Sequence, residues 1–388
     1  MNMEAENKPS NLSGSAKSSQ ISIGFVMEQA LGHVTHHKNL ARWTEEDATI
    51  CPHWLPIPEV APDALEKIPG IRNNWSLKAS LRARAALIAA ERKEKLDALF
   101  IHTQTCSLFS LPFMRRIPTV ISLDATPLNY DTVGAEYGHL AGNDSWLDRR
   151  KMSWYKSVFS EAAAITTWCK WAKDSLVNDY GVPAEKISVI PPGVDLERWD
   201  FGEGKAERLQ TSAQSPNAPL KLLFVGGDFS RKGGEYLLEA FRNELSGSCT
   251  LDLVTKDETL RDEAGIKVYR GLTANSAPLR DLYASADLFV FPTLGDCLPI
   301  AVMEAMAAGL PVITTDVGAL SEEVEAGVNG LVIPPRDAKA ISYAVQTLAN
   351  DKALRVSMSS ESRRLATERF SAKRNYGMIL DLVKGVKR

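Results

Sequence analysis

The sequence predicts an α/β protein built from two doubly wound, parallel-sheet domains that face a central cleft. Short runs rich in Val, Ile and Leu alternate with longer helical patterns along the 388 residues, which is typical of strands buried on both faces. A polar stretch rich in Gly, Ser, Gln and Asn, at 200–219, separates two such series. A chain of this length also exceeds what one hydrophobic core usually supports.

The first series predicts an N-terminal domain over residues 21–200. Residues 1–20 are polar and lack an apolar segment, so we expect a disordered tail and not a signal peptide. Residues 76–95 are long enough for a helix, whereas the aromatic and Pro-rich segment CPHWLPIPEV is interpreted as a variable loop. The predicted strands lie in ISIGFV, LDALFIH, TVISLD, AAAITTW and KISVIPP.

The second series predicts a C-terminal domain over residues 201–370. Residues 371–388 form an amphipathic helix that could pack back on the first domain. Ligands of such folds bind at the carboxyl ends of the strands, so the cleft between the domains is the expected site. The predicted strands lie in LKLLFVGG, TLDLVT, GIKVYRG, DLFVFPT, LPVITT and NGLVIPP.

Composition narrows the class of protein. A net charge of −3 and a pI near 6.1 argue against a broad nucleic-acid surface. The five cysteines are scattered without a CxxC pair, which argues against a disulfide framework or a zinc cluster and favours a reducing cytosol. Since no apolar run is long enough to span a bilayer, we expect a cytoplasmic protein.

Residues 287–318 contain the most informative motif. A strand ends at Pro292, a short loop carries Asp296, and Pro299 suits the first turn of a helix. Backbone N–H groups at such a helix start can bind phosphate oxygens, here in the turn of Leu298, Ile300 and Ala301. Glu304, farther along the helix, could accept ribose hydroxyls. The local pattern leaves open that Asp296 only caps the helix and that Glu304 is solvated.

A second Gly-rich turn, VGGDFSRKGGEYLLEAF, follows the first strand of the C-terminal series. Arg231 and Lys232 stand immediately before two glycines, which allow close backbone approach. Two cations in such a turn could neutralise a diphosphate. A solvated basic pair is the alternative.

Taken together, GVPAEKISVIPPGVD, FVGGDFSRKGG and the run from LYASADLFVF to NGLVIPP resemble the retaining glycosyltransferases of GT-B fold in family four, also called glycosyl transferases group 1. The resemblance is dense over residues 175–335. It implies two Rossmann-like domains, a nucleoside diphosphate sugar donor and no metal or other cofactor.

The resemblance assigns roles to residues of the second domain. Asp296 and Glu304 match an acidic-x7-Glu signature, in which the first acid lies by the transferred sugar and the second holds the ribose. Lys232 matches a diphosphate-binding Lys-Gly pair, and Gly227 occupies the place of the usual Arg, for which Arg231 could stand in. Cys297, Leu298 and Pro299 replace the family's glycine-rich run, which leaves the donor sugar undetermined.

Matches in the first domain are weaker. Gly32 resembles a glycine loop that approaches phosphate and acceptor, although it could equally be a simple turn. His102 matches a histidine near the transferred sugar, with a purely structural histidine as the alternative. In SLDATP, Leu123 replaces the family's histidine and Asp124 remains.

Three further patterns bear on metal, dinucleotide and membrane binding. His33, His36 and His37 have spacings that suit zinc, but without an Asp or Cys nearby in sequence we expect no metal site. The first strand lacks the G-x-G-x-x-G fingerprint of dinucleotide-binding folds. Arg115, Arg116 and the segment 146–155 mix basic and aromatic residues, which indicates solvated helix faces, with weak contact to an anionic membrane surface as the alternative.

The sequence therefore predicts a hexosyltransferase that uses a glycan, lipid or small-molecule acceptor, in polysaccharide or glycolipid biosynthesis. We expect Lys232, Arg231 and the helix amides to stabilise the departing diphosphate, and His102 and Asp296 to orient the sugar. Acceptor choice is expected in first-domain loops, including CPHWLPIPEV. A nucleotide-sugar epimerase and an inactive nucleotide-sugar-binding scaffold are the alternatives.

Overall fold

The computed structural model describes residues 20–30, 32–137, 146–201 and 218–386. The predicted tail and most of the predicted linker lie outside these ranges. Within them, two six-stranded sheets are present, and all the strand pairs in both are parallel. The predicted α/β class with two doubly wound domains is confirmed.

The first sheet has the order β2-β1-β3-β4-β5-β6. Its central strands consist largely of buried apolar residues, because helices cover both faces. The strands are β1 (Ile21–Gln29), β2 (Ile50–Pro58), β3 (Ala98–His102), β4 (Thr119–Leu123), β5 (Ala164–Thr167) and β6 (Ile187–Val189).

The prediction of a loop for CPHWLPIPEV is wrong, because most of this segment forms edge strand β2. Pro52, Pro56 and Pro58 occupy alternate positions along the strand. Strand β2 has a single neighbour, β1, and in a parallel pair only every second residue of a strand directs its N–H group at that neighbour. The three prolines, which lack an N–H group, fall at the other positions, where the N–H groups of an edge strand would face away from the sheet. The prolines therefore leave the pairing intact, and they make the outer edge a poor template for another strand.

The second sheet has the order β12-β11-β10-β7-β8-β9. Its six predicted strands are all present. They are β7 (Leu220–Val225), β8 (Cys249–Val254), β9 (Ile266–Tyr269), β10 (Leu288–Phe291), β11 (Val312–Thr315) and β12 (Gly330–Ile333).

Helices pack on both faces of each sheet. In the first domain they are α1 (His33–Glu45), α2 (Trp75–Glu91), α3 (Gln104–Ser107), α4 (Leu111–Met114), α5 (Pro127–Val133), α6 (Trp146–Glu161) and α7 (Lys170–Asn178). In the second they are α8 (Gly234–Ala240), extended by a π-helical turn at Phe241–Leu245, α9 (Ala277–Ser285), α10 (Ile300–Ala307), α11 (Leu320–Glu323), α12 (Ala338–Asn350) and α13 (Lys352–Arg369). Short 3-10 turns lie at Ala64–Glu66, Gly134–Tyr137 and Ala184–Lys186. None of the helices in the described ranges combines the length and the apolar character needed to cross a bilayer.

The last helix, α14 (Ala372–Gly385), packs on the first sheet. Tyr376 and Ile379 are fully buried against residues of β1 and β3. Where the chain passes between the domains, the Val194 amide donates to the Phe370 carbonyl at 2.8 Å and the Ala372 amide donates to the Val194 carbonyl at 3.0 Å. The two chain crossings therefore lie side by side.

The strand orders place the site. In each sheet the strand order reverses once: successive strands are added first toward one edge of the sheet and then toward the other. The reversal lies between β1 and β3 in the first sheet and between β7 and β10 in the second. Ligands of doubly wound folds bind at the carboxyl ends of the strands beside such a reversal. The turns after β1, β3, β7 and β10 carry most of the predicted site residues.

Candidate active site

The turn after β7 is held against the end of β10 by a glycine. Gly233 has φ of +73°, and a Cβ at this position would overlap the carbonyl oxygen of Pro292. Only glycine allows both this backbone conformation and this approach. Lys232, the preceding residue, is thereby placed beside the loop that follows β10.

Lys232 and Asp296 form a buried ion pair between these two loops. Their side chains are only 13% and 12% exposed, and the Lys232 ammonium lies 5.2 Å from the centre of the Phe291 ring. Burial, only partly opposed by Asp296, lowers the pKa of Lys232 below its usual range. The structure thus brings two of the predicted catalytic residues into direct contact, although they are 64 positions apart.

Arg231 lies beside this pair but is turned into the protein. Its guanidinium donates to the Gly295 carbonyl at 2.7 Å and to Asp228 at 3.0 Å, and the residue is 6% exposed. These contacts brace the Asp296 loop. Gly227 is exposed, its carbonyl accepts a hydrogen bond from the Lys256 amide at 3.3 Å, and a Cβ at this position would make ordinary van der Waals contact with the Lys256 side chain. That Arg231 replaces the family's arginine at the diphosphate stays a prediction.

Helix α10 begins at Ile300, one residue after the predicted start, because Pro299 is its extended N-cap residue and not part of the first turn; no side chain caps the helix. Asp296 therefore does not cap this helix. The amide of Val302 donates to the Pro299 carbonyl at 3.0 Å, which leaves the amides of Ile300 and Ala301 at the helix start. Leu298 is buried beneath this turn. The helix start and the Lys232 loop lie on either side of Asp296.

A glycine also allows the loop after β11 to pack closely against the turn that carries Asp296. Gly318 has φ of +62°, and a Cβ there would overlap the carbonyl oxygen of Asp296. The Ala319 amide donates to the Cys297 carbonyl at 2.9 Å. The loop after β11 therefore locks the backbone of the predicted donor site.

Glu304 is buried within α10 and not on a solvated face. Its carboxylate accepts a hydrogen bond from the hydroxyl of the fully buried Tyr283 at 3.1 Å. Burial raises the pKa of Glu304 to about 7, an effect that the Tyr283 bond opposes. Its predicted contact with a ribose stays a prediction.

Sequence reasoning missed two neighbouring acids on α11. Glu322 accepts the backbone amides of Lys170 and Trp171, each at 2.7 Å, and so caps a first-domain helix from the second domain. Glu323 is fully buried, and neither carboxyl oxygen has a hydrogen-bond partner in the described part of the chain. Burial, with a contribution from nearby Asp296, raises the pKa of Glu323 well above its usual range.

The first domain contributes a row of polar side chains to its own strand ends. His102, at the end of β3, lies 2.8 Å from His33 through Nε2 and 3.1 Å from the Ser122 hydroxyl through Nδ1. His33 Nε2 in turn lies 3.9 Å from an Asp124 oxygen. His102 is fully buried, whereas His33 and Asp124 retain 13% and 20% side-chain exposure.

His102 is therefore placed beneath His33 and not at the surface of the cleft. Its ring stacks on Trp168 with centroids 5.4 Å apart. Burial, reinforced by the neighbouring imidazoles, holds the pKa of His102 well below its usual range. A neutral ring bonded at both nitrogens can orient His33. From the sequence, His33 was expected only as a possible metal ligand. Its pairing with His102, 69 positions away, is a property of the fold and leaves no local signal.

The other histidines of this segment have separate surroundings. His36 Nδ1 lies 3.4 Å from the Tyr376 hydroxyl, and burial lowers the pKa of His36 to about 3. His37 Nδ1 lies 2.8 Å from the Gln29 amide nitrogen. In the part of the chain that the structure describes, these histidines do not form a group with metal-ligand geometry. Gly32 is the N-cap of α1, with open space around its Cα.

The two halves of the site face each other. Gly295 approaches first-domain residues so closely that a Cβ would lie 3.2 Å from the Val133 carbonyl oxygen. Arg336 of the second domain pairs with Glu136 of the first. Burial, with smaller contributions from the charges of Asp124 and Asp296, raises the pKa of the Cys297 thiol well above its usual range. The loop that carries Asp296 therefore contacts the first domain, whose strand ends carry His33 and Asp124.

Family comparisons agree with this geometry. Residues 34–198 match the family described as Glycosyltransferase Family 4, and residues 219–351 match the family described as Glycosyl transferases group 1. The chain belongs to the family 4, group 1 glycosyltransferases. The two matches cover β2–β6 of the first sheet and all six strands of the second, so the family assignment rests on both sides of the cleft.

This glycosyltransferase has curated relatives of modest identity. It is 27% identical over 292 residues to an uncharacterized glycosyltransferase of Methanocaldococcus jannaschii, covering 72% of each chain. It is 27% identical over 234 residues to a D-inositol 3-phosphate glycosyltransferase of Corynebacterium kroppenstedtii, covering 56% of this chain and 52% of the relative. It is 26% identical over 309 residues to glycogen synthase of Mycobacterium tuberculosis, covering 76% of this chain and 69% of the relative. The chain thus spans about half to under three quarters of these relatives.

Solved structures show the fold. Sucrose-phosphate synthase from Thermosynechococcus elongatus superposes with a TM-score of 0.70 at 17% identity, covering 94% of this chain and 98% of that one. WaaG, a glycosyltransferase involved in lipopolysaccharide biosynthesis, superposes with a TM-score of 0.67 at 17% identity, covering 94% of this chain and 100% of that one. Anabaena HepE, solved with UDP and glucose, superposes with a TM-score of 0.66 at 16% identity, covering 94% of this chain and 100% of that one. The predicted GT-B fold is confirmed.

Proposed function

We propose that this protein is a retaining, metal-independent hexosyltransferase that uses a nucleoside diphosphate sugar and a glycan, lipid or small-molecule acceptor. The observation that carries the proposal is the buried Lys232 ammonium, which lies at the strand ends beside Asp296 and the start of α10. A fixed cation and free helix amides suit the departure of a diphosphate. Anabaena HepE was solved with UDP-glucose, which supports a uridine diphosphate sugar as the first donor to test.

The donor half of the reaction depends on charge. As the bond between the anomeric carbon and the diphosphate breaks, negative charge develops on the phosphate oxygens. Lys232 and the amides of Ile300 and Ala301 would stabilise this charge. Because Lys232 pairs with Asp296 in the structure, donor binding would turn the ammonium toward the phosphate. Asp296 would then accept a hydroxyl of the sugar, while Glu304 binds the ribose.

The acceptor half accounts for retention. The acceptor hydroxyl would attack on the face from which the diphosphate leaves. A new bond forms between the acceptor oxygen and the anomeric carbon, the bond to the phosphate oxygen breaks, and the acceptor proton passes to that phosphate oxygen. His33, supported by neutral His102 and by Asp124, would position the sugar.

A thermal-shift screen against UDP-, GDP- and ADP-sugars tests donor binding. A donor at a hundred times its Kd adds roughly 2.7 kcal/mol to the free energy of unfolding. Turnover is then measured with EDTA present, and NMR gives the configuration of the product. Lys232→Ala and Glu304→Ala should weaken binding and turnover, whereas Lys339→Ala, on the exposed surface of α12, should not. Unchanged donor affinity and turnover in both site variants would exclude the assignment.

Incubation with donor alone separates the alternatives. An epimerase would change the sugar without an acceptor, and an inactive scaffold would bind the donor without releasing a nucleoside diphosphate. A transferase of this kind releases the nucleoside diphosphate when an acceptor is added, because the sugar moves to the acceptor. Weak contact with an anionic membrane surface through Arg149, Arg150 and the exposed Trp146 stays the alternative to solvated helix faces, and sedimentation with anionic vesicles tests it.

A further inference from the structure

A second cluster of chemistry-bearing side chains lies at the opposite end of the first sheet from the cleft. Cys51 and His53 stand two positions apart near the start of β2, so their side chains share one face of the sheet. Glu94 reaches the same point from the segment between α2 and β3. The cleft is formed by the other ends of these strands, so this cluster has no part in the site described above.

The three side chains present their ligand atoms to one another. Cys51 Sγ lies 3.7 Å from His53 Nε2, and His53 Nε2 lies 3.5 Å from a Glu94 carboxylate oxygen. All three atoms lie within 4.8 Å of one another. Tetrahedral zinc with ordinary bond lengths separates sulfur from nitrogen by about 3.6 Å and nitrogen from oxygen by about 3.4 Å. The observed spacing therefore fits one zinc-sized ion with little movement.

The chemistry of the set also suits zinc. Thiolate, imidazole and carboxylate are the three ligand types that Zn²⁺ prefers, and one thiolate plus one carboxylate balances its charge. Cys51 is partly exposed, whereas the other four cysteines are buried. The Ser22 hydroxyl lies 2.8 Å from His53 Nε2, a hydrogen bond that metal binding would replace, and a water molecule could take the fourth position.

The surrounding backbone holds the cluster in place. The Ser22 amide donates to the Asp97 carboxylate at 3.0 Å, and the Asp97 amide returns a bond to the Ser22 carbonyl at 2.8 Å. Cys51 pairs with Ser22 in the sheet register. These contacts fix the segment that carries Glu94 against the start of β1, so the ligands come from a preformed frame.

We propose that Cys51, His53 and Glu94 form a zinc-class metal site that ties edge strand β2 to the α2–β3 connection. Binding requires the Cys51 thiol to release its proton to solvent as the sulfur–metal bond forms. The site is structural, because it lies away from the cleft. Its occupancy raises the stability of the first domain and leaves glycosyl transfer unchanged.

The test uses full-length, tag-free protein that has been freed of metal, titrated with Co²⁺ and Zn²⁺. We expect one equivalent of Co²⁺ to give a thiolate-to-cobalt charge-transfer band and the intense visible bands of a four-coordinate site. Cys51→Ser should abolish the charge-transfer band. Glu94→Gln should weaken Zn²⁺ binding by more than about tenfold, since even indirect partners of a metal site contribute that much.

Glu91→Gln, three positions earlier at the end of α2, is the matched control and should bind Zn²⁺ like the wild type. Glu94 is exposed, so its variant should fold normally even if Cys51→Ser does not. The proposal is overturned if the wild type does not bind Zn²⁺, or if Cys51→Ser and Glu94→Gln bind it unchanged. The latter result would place binding elsewhere, for example at the histidines near the cleft.

Discussion

Replacing Glu304 by Gln should remove a pH dependence of folding that the structure places at this residue. Glu304 is buried, and its pKa is raised from 4.5 to about 7. Between these values the folded protein keeps a proton that the unfolded chain has released. The free energy of unfolding of the wild type therefore falls as pH rises through this window and levels off above it.

The magnitude follows from the same pKa. At 1.36 kcal/mol per pKa unit, the cost of ionising Glu304 in the folded protein is roughly 3 kcal/mol. A glutamine is similar in size, carries no charge and can still accept the Tyr283 hydrogen bond. Relative to Glu304→Gln, the wild type should therefore lose up to roughly 3 kcal/mol between pH 4.5 and pH 8.

Urea denaturation of both proteins at several pH values measures this difference. Other titrating groups are common to the two chains, so they cancel in the comparison. Glu239→Gln, on the exposed side of α8, serves as a control and should follow the wild type at every pH. A difference between wild type and Glu304→Gln that stays constant within about 0.5 kcal/mol would refute the argument from burial.

Three further variants test the frame of the site. Lys232→Ala should lower kcat by roughly 10²–10³, because a preorganised charge-stabilising group is lost, and initial rates at saturating donor would show it. Gly233→Ala should lower thermal stability by more than about 1 kcal/mol, because the left-handed backbone and the Pro292 carbonyl exclude a Cβ, whereas Gly247→Ala has open space and should cost little. Equal losses in the two glycine variants would contradict this. Glu322→Ala should cost about 1 kcal/mol by uncapping α7, and denaturation of this variant at the wild-type level would show that the cap contributes nothing.

Much of the fold could be predicted because most strands contain a continuous run of apolar residues. The segment DLFVFPT contains β10, whose four residues are all buried, and its hydrophobic run is visible without any partner. Strand β2 was missed for the opposite reason. Its three prolines signal a loop in isolation, and only the sheet order reveals an edge where they are tolerated.

The candidate site was predictable in its residues but not in its pairings. Lys232 and Asp296 stand next to glycine or proline turns that follow strands, which is a local signal. Their direct ion pair, and the contact of His33 with His102, depend on where distant strands end. Glu323 gave no signal, because an acid within an acidic stretch is ordinarily solvated and its burial arises from packing alone.

The return of the chain to its starting domain has a mechanical consequence. Two strands of backbone, joined by hydrogen bonds between Val194 and the residues at 370–372, tether one lobe to the other. A single tether would let the lobes twist and swing independently, whereas two adjacent tethers leave mainly a rocking motion about the line that they share. The lobes should therefore move mainly by rotation about this shared line, which would return Lys232 to the same position relative to the first domain at each closure.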